Sequence, residues 1–192
     1  MTGKSHLVAN SCSALLAYDG IKYLQHNPFS FFNITSDSIL TPVVSFLSAG
    51  KGFNNIVFWG LAFVLFFLGT LLPDCDNDKS LLGRFIYIPV EHRTWTHTLW
   101  VVIPIFVMSI WWRVLFYLGA GYLLHLFWDS LSSCGVAYMY PITKYKSYGK
   151  AKVKKGHIFK LYKTGKASEY VVLAFLVILT IVVATYVFLF VK

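Results

Sequence analysis

The chain has 192 residues, of which 57% are hydrophobic and only 13% charged, with a mean hydropathy of +0.62. A soluble domain carries about 25% charged residues, so these proportions exclude an ordinary water-soluble globule and point to one integral membrane domain over 1–192. The charge is basic, 17 Lys plus Arg against 8 Asp plus Glu, which in a membrane chain reads as topology before nucleic acid. Three widely spaced cysteines, Cys12, Cys75 and Cys134, offer neither a disulfide framework nor a CxxC zinc knuckle.

In chain order, the N-terminus MTGKSHLVAN reaches His6 before any apolar run, so no cleavable signal is expected. Residues from about Leu7 to Leu24 contain Asn10, Asp19 and Lys22, and form a membrane helix if that polar side faces a bundle. Within 26–53, Ser38 to Ala49 fits a short re-entrant or interfacial helix. Ile56 to Leu72 is apolar and stops at Pro73 and the acids Asp74, Asp76 and Asp78.

Thr98 to Ser130 is apolar apart from Arg113, His125 and Asp129. As one helix it would measure about 50 Å against a hydrocarbon core of about 30 Å. Two short helices meeting near Trp111-Trp112-Arg113 fit better, because Trp and Arg settle at membrane interfaces; one kinked helix is the alternative. Gly119 and Gly121 permit close packing in the second half. Residues 132–168 form a polar, Lys-rich loop with no recognisable strand. Tyr170 to Val191 runs without a charge, about 33 Å of helix and enough to cross.

The expected fold is therefore all-α, a polytopic transmembrane bundle of about four to five membrane helices. Five crossings bring His6, Asp74, Asp76, His92, His97, Asp129 and Glu169 to one membrane face. That face also holds Lys4, Lys79, Arg84, Arg93 and the nine lysines between 144 and 166, against Lys22, Lys51, Arg113 and Lys192 opposite. The positive-inside rule makes it cytoplasmic.

Three motifs at this edge carry chemistry. Carboxylates directly after an apolar helix, as in Leu72-Pro73-Asp74-Cys75-Asp76, are costly unless paired or bound to a cation, and they oppose the helix dipole; a solvated turn is the plain alternative. In Glu91-His92-Arg93-Thr94-Trp95-Thr96-His97-Thr98 the two histidines suit zinc, while Thr96 or Thr98 equally suits an N-cap. His125 and Asp129 lie four apart on one helical face, about 6 Å apart at Cβ, placed to clasp one ion; a His–Asp pair joining two helices is the other reading. Glu169 opens the last helix, where capping alone explains an acid. His26 and His157 lack acidic neighbours. The lysines between 144 and 166 fit topology and attraction to anionic lipid headgroups.

Taken together, GKSHL, LLPDCDNDKS, HRTWTHT, GYLLHLFWDSLSSCGV and YKTGKASE resemble the LexA-regulated, inner-membrane metal-dependent hydrolase family. Its members share an N-terminal GH-type motif, PDxDxxxS, HRxxTHS and GYxxHxxxD. The resemblance runs from His6 to Glu169 and aligns His6, Asp74, Asp76, His92, His97, His125, Asp129 and Glu169 with the family's polar positions. Thr98 stands in place of the usual serine. The HxxxD helix also resembles that of zinc-dependent phospholipase C, which implies one or more Zn2+ ions and cleavage of phosphoesters.

The expected function is hydrolysis by metal-activated water of a lipid or lipid-linked substrate, with Asp74, Asp76 or Glu169 as general base. The alternatives are a structural or regulatory membrane protein whose metal site staples helices, and a transporter. No pseudo-repeat supports the last, and no nucleic-acid partner is expected.

Overall fold

The computed structural model describes residues 2–26, 55–142, 144–147, 150–153 and 159–190. The segment Ser38 to Ala49 and His157 lie outside them. Five α-helices occur among the described residues: α1 (Gly3–His26), α2 (Asn55–Leu71), α3 (Leu99–Ser109), α4 (Leu115–Ser130) and α5 (Ala167–Phe190). Short 3-10 turns follow α2 at Leu72–Asp76 and precede α3 at Trp95–His97. Among the described residues, two segments are long and apolar enough to cross a membrane, Ile56–Asp76 and Ala167–Phe190.

α2 packs along α4, α1 along α5, and α3 folds back on α4. The Phe58 ring meets Tyr117 at one end of α2 while the Thr70 carbonyl meets His125 at the other, so α2 and α4 run in the same direction. Likewise Thr2 meets Glu169 and Tyr23 meets Tyr186, making α1 and α5 parallel. Glycines set the α2–α4 distance: a Cβ on Gly69 would lie 2.1 Å from the Leu118 carbonyl oxygen, and one on Gly121 2.2 Å from that of Phe66. Gly119 instead faces α3, where a Cβ would sit 3.1 Å from the Phe106 ring.

The apolar stretch 98–130 is two helices, with the break at residues 110–114 where Trp111, Trp112 and Arg113 stand. α1 turns Ser5, His6, Ala9, Asn10, Cys12 and Asp19 inward while Leu15 and Tyr18 face outward; Lys22, expected on the bundle side, is exposed. Asn10 donates to Thr70 Oγ1 and to the Gly121 carbonyl, each at 3.0 Å, so α1 is tied to both α2 and α4 by one side chain.

The basic loop departs from expectation. Within it, β1 (Lys144–Ser147) pairs antiparallel with β2 (Lys150–Val153), Lys144 opposite Val153 and Ser147 opposite Lys150. The two-residue alternation of this ribbon is hidden in the sequence because lysines occupy many of its positions, which reads as a solvated loop rather than a half-buried strand.

Candidate metal centre

The turn after α2 is made by Pro73, which has no N–H to continue the helix. It carries Asp74 and Asp76 inward, both buried. The Asp74 carbonyl accepts the Ser80 hydroxyl at 2.7 Å and the Asn77 amide at 3.0 Å, closing the loop back on the turn. The second approach is made by Arg93, whose φ of 63° lies in the left-handed region that side chains avoid. That geometry turns the chain between His92 and the Trp95–His97 turn. Its cost is of the kind found at sites the surrounding structure over-determines. The third approach is α4, which carries His125 and Asp129, and the fourth is α1 with His6.

The first three approaches converge on four donor atoms. His97 Nε2 lies 3.9 Å from Asp74 Oδ1 and 3.5 Å from Asp129 Oδ2; His125 Nε2 lies 3.6 Å and 3.9 Å from the same two oxygens. These separations are too long for hydrogen bonds. They are close to the spacing of about 3.3–3.6 Å that a tetrahedral ion with bonds of about 2.0–2.2 Å imposes on its ligands. The Nε2 atoms of His97 and His125 are buried and have no hydrogen-bond partner, a costly state for a polar group unless a cation takes the lone pair.

Both tautomers are fixed by outer partners. His125 Nδ1 is 2.7 Å from the Thr70 carbonyl oxygen, which can only accept, so Nδ1 carries the proton and a neutral ring leaves its lone pair on Nε2. Thr96 spends its hydroxyl proton on Asp76 Oδ2 at 2.5 Å and sits 2.9 Å from His97 Nδ1, so it accepts the Nδ1–H. Such outer hydrogen bonds orient metal-binding imidazoles.

Asp76 serves the same outer layer. Its Oδ1 is 2.5 Å from His92 Nδ1, and its Oδ2 accepts from the Arg93 amide at 3.1 Å as well as from Thr96. His6 stacks on His125 with centroids 3.7 Å apart, and its Nε2 is 3.2 Å from Asp129 Oδ1. Two donor sets result, His6–His125–Asp129 and Asp74–His92–His97, each within 4.8 Å. His92 is the open member, its side chain 39% exposed, and marks the mouth. Burial lowers the His97 pKa, but the facing carboxylates of Asp129 and Asp76 outweigh it and hold it above the ordinary histidine value.

Of the residues singled out in the sequence, His6, Asp74, Asp76, His92, His97, His125 and Asp129 come together. Glu169 takes a neighbouring position: its Oε1 accepts the Thr2 amide at 2.8 Å and its Oε2 the Gly165 amide at 2.6 Å. It anchors the start of α1, and with it His6. Thr98 occupies the N-cap position of α3 without a side-chain cap bond, donating instead to the Trp95 carbonyl at 3.0 Å.

Arg93 belongs to the candidate site, although its sequence position alone reads as a topological charge. It is buried, donates from Nη2 to Asp129 Oδ1 at 2.8 Å and from Nη1 to Ser132 Oγ at 3.1 Å, while its Nε has no partner. Its place between His92 and His97 was the available signal.

A family model, described as YdjM inner membrane protein, matches residues 1–191. No curated protein and no solved structure matches the chain, so the expected similarity of the HxxxD helix to zinc-dependent phospholipase C is not shown by these comparisons.

Proposed function

This chain belongs to the YdjM inner membrane protein family, and we propose that it is a membrane-embedded metal-dependent hydrolase acting on a phosphoester of a lipid or lipid-linked substrate. The observation that carries this reading is the pair of buried, unpartnered Nε2 atoms of His97 and His125 facing the Asp74 and Asp129 carboxylates. Two neutral imidazoles and two carboxylates are a zinc-type donor set. A bound Zn2+ supplies Lewis acidity, polarising a phosphoryl oxygen and lowering the pKa of water toward about 7.

The chain's own residues do the rest. Arg93, running in beside Asp129, places a fixed cation where phosphate charge gathers. His92, half-exposed and held at Nδ1 by Asp76, has the imidazole–carboxylate arrangement of a general base whose ring is oriented by a buried acid. The oxygens of Asp76 and Glu169, by contrast, are engaged by other donors. In this reading the bundle is multi-pass, with four to five crossings, and the basic loop with its headgroup attraction marks the cytoplasmic end by the positive-inside rule.

A second reading uses the same four donors. Four protein ligands make a closed ion, the signature of a structural site, and here it would staple the Leu72–Asp76 turn, the Trp95–His97 turn and α4. One experiment separates them: metal content of detergent-purified protein, wild type beside His125→Ala and Asp129→Ala, followed by assay of metal-loaded protein on phospholipid, polyprenyl phosphate and a generic phosphodiester. Near-stoichiometric zinc lost in both variants, with cleavage, supports the hydrolase. The same metal result without cleavage leaves the staple, and protein purified without chelator yet free of metal overturns both.

A further inference from the structure

The segment between the two ligand-bearing turns is apolar and outward-facing. Phe85 is 86% exposed, Ile86 59%, Tyr87 53% and Ile88 40%. Four successive large apolar residues on a water-facing loop are a solubility fault unless something covers them. The loop is nevertheless a built structure. The Ile88 amide is bound to the Cys75 carbonyl at 2.9 Å, between Asp74 and Asp76, and the Phe85 and Ile86 amides both donate to the Leu82 carbonyl at 2.9 Å. Gly83 donates to Ser80 Oγ at 2.8 Å, and a Cβ there would meet the Asn77 carbonyl oxygen at 2.0 Å. The side chains are therefore held outward by a backbone fastened to the metal-ligand turn.

We propose that the loop from Arg84 to Pro89 lies in the headgroup–acyl boundary of the bilayer that holds the protein, and keeps the His92 mouth of the site against lipid. Helix lengths put the bilayer there. α2 has 17 residues and α4 has 16, about 26 and 24 Å, against a hydrocarbon core of about 30 Å. Trp111 and Trp112, 71% and 60% exposed at the opposite hairpin, anchor at one interface. Measured from them, the apolar slab extends past the last turns of α2 and α4 to the level of the loop. On the other side of the bundle, the exposed apolar face of α5 begins at Tyr170, next to Glu169. Arg84, exposed, immediately precedes the apolar run and suits anionic headgroups. A lipid substrate then reaches the site without leaving the bilayer. The proposal deepens the hydrolase reading but rests only on membrane placement.

Depth can be read without metal or catalysis. A nitroxide is placed at Ile86→Cys, and separately at Phe85→Cys, in a Cys134→Ser background that keeps the buried Cys12 and Cys75. The full chain is reconstituted in nanodiscs containing anionic phospholipid. Power-saturation EPR compares oxygen with chromium oxalate, using Ile178→Cys on the outer face of α5 as the bilayer reference and Lys79→Cys as the aqueous one. Oxygen accessibility several-fold above that of chromium oxalate at both loop sites, as at Ile178, is expected. A loop profile matching Lys79 overturns the proposal. So does a label that neither reagent reaches, which would mean that another protein surface covers the loop. A failed hydrolase assay leaves this result standing, and a failed depth measurement leaves the metal centre untouched.

Discussion

His125 and Thr70 meet across the α4–α2 contact, with the imidazole Nδ1 2.7 Å from the Thr70 carbonyl oxygen. That carbonyl belongs to the last turn of α2, where helix oxygens have no partner within the helix. One hydrogen bond therefore satisfies an orphan acceptor and fixes which nitrogen of His125 faces the carboxylates. Thr70 is also bound through its side chain to Asn10, so α1, α2 and α4 share a single polar junction beneath the candidate metal centre. The packing of the bundle and the chemistry of the site are the same set of contacts.

Helix spacing should thus control metal affinity. Gly69→Ala or Gly121→Ala would place a methyl carbon within 2.1 or 2.2 Å of a backbone oxygen of the facing helix, which no side-chain adjustment relieves. Separation of α2 from α4 moves Thr70 and Asp74 away from His125. Each variant is expected to lose about 1–3 kcal/mol of stability and to bind zinc at least tenfold more weakly. Thermal unfolding in detergent and a competitive zinc titration check both. Gly60→Ala, where nothing lies within 4 Å, is the control: it should lower neither, and gains up to about 1 kcal/mol of helix stability.

The two carboxylates of the PDCD turn should behave differently. Asp74 faces the imidazole Nε2 atoms, whereas both oxygens of Asp76 are engaged by His92, Thr96 and the Arg93 amide. Asp74→Asn removes a charged donor and is expected to abolish stoichiometric zinc binding. Asp76→Asn should weaken it by about 10–100-fold, as loss of an outer partner does. Equal loss in the two variants, measured by metal analysis after equilibrium dialysis, would count against separate roles.

Much of this centre was legible in the sequence because charge inside an apolar helix is expensive. His125 and Asp129 stand out for that reason, and Asp74 for following an apolar run that Pro73 terminates. The two helices of 98–130 are legible because one helix of that length is too long for a bilayer and Trp111-Trp112 marks the turn. Other features left no such trace. The Thr70 carbonyl is backbone and carries no side-chain signal. Arg93 looks like any basic residue until its φ of 63° and its contact with Asp129 are known. Glu169 and Thr2 stand far apart in the chain, and only folding shows that one binds the amide of the other.

Arg93 offers a test of how the Asp129 charge is held. Its guanidinium reaches Asp129 and Ser132 with separate nitrogens, a fork that a lysine ammonium does not reproduce. Arg93→Ala leaves the buried carboxylate without this cation and is expected to destabilise metal-free protein by about 3–5 kcal/mol. Arg93→Lys should lose less. Zinc should recover more thermal stability in Arg93→Ala than in wild type, because the ion supplies the missing positive charge. Equal zinc-induced shifts in the two proteins would show that Arg93 does not serve as the counter-charge.

Metal binding should also depend on pH in a defined direction. In the metal-free protein, burial works against protonation of His97, but the Asp129 and Asp76 carboxylates prevail and raise its pKa above the ordinary value. A raised folded-state pKa means that His97 keeps its proton to higher pH than a free histidine, and that proton must leave before Nε2 donates to a cation. Zinc affinity is therefore expected to rise as pH increases through the His97 pKa and to flatten above it, with proton release on binding. Competitive titrations across a range that brackets the ordinary histidine value of about 6.5, with calorimetry in buffers of different ionisation enthalpy, report both quantities. The same raised pKa contributes stability to the metal-free fold that is present at low pH and lost as pH rises through it. Acidification should therefore strip the metal before it unfolds the bundle. An affinity that does not change across this range would remove His97 from the coordinating set.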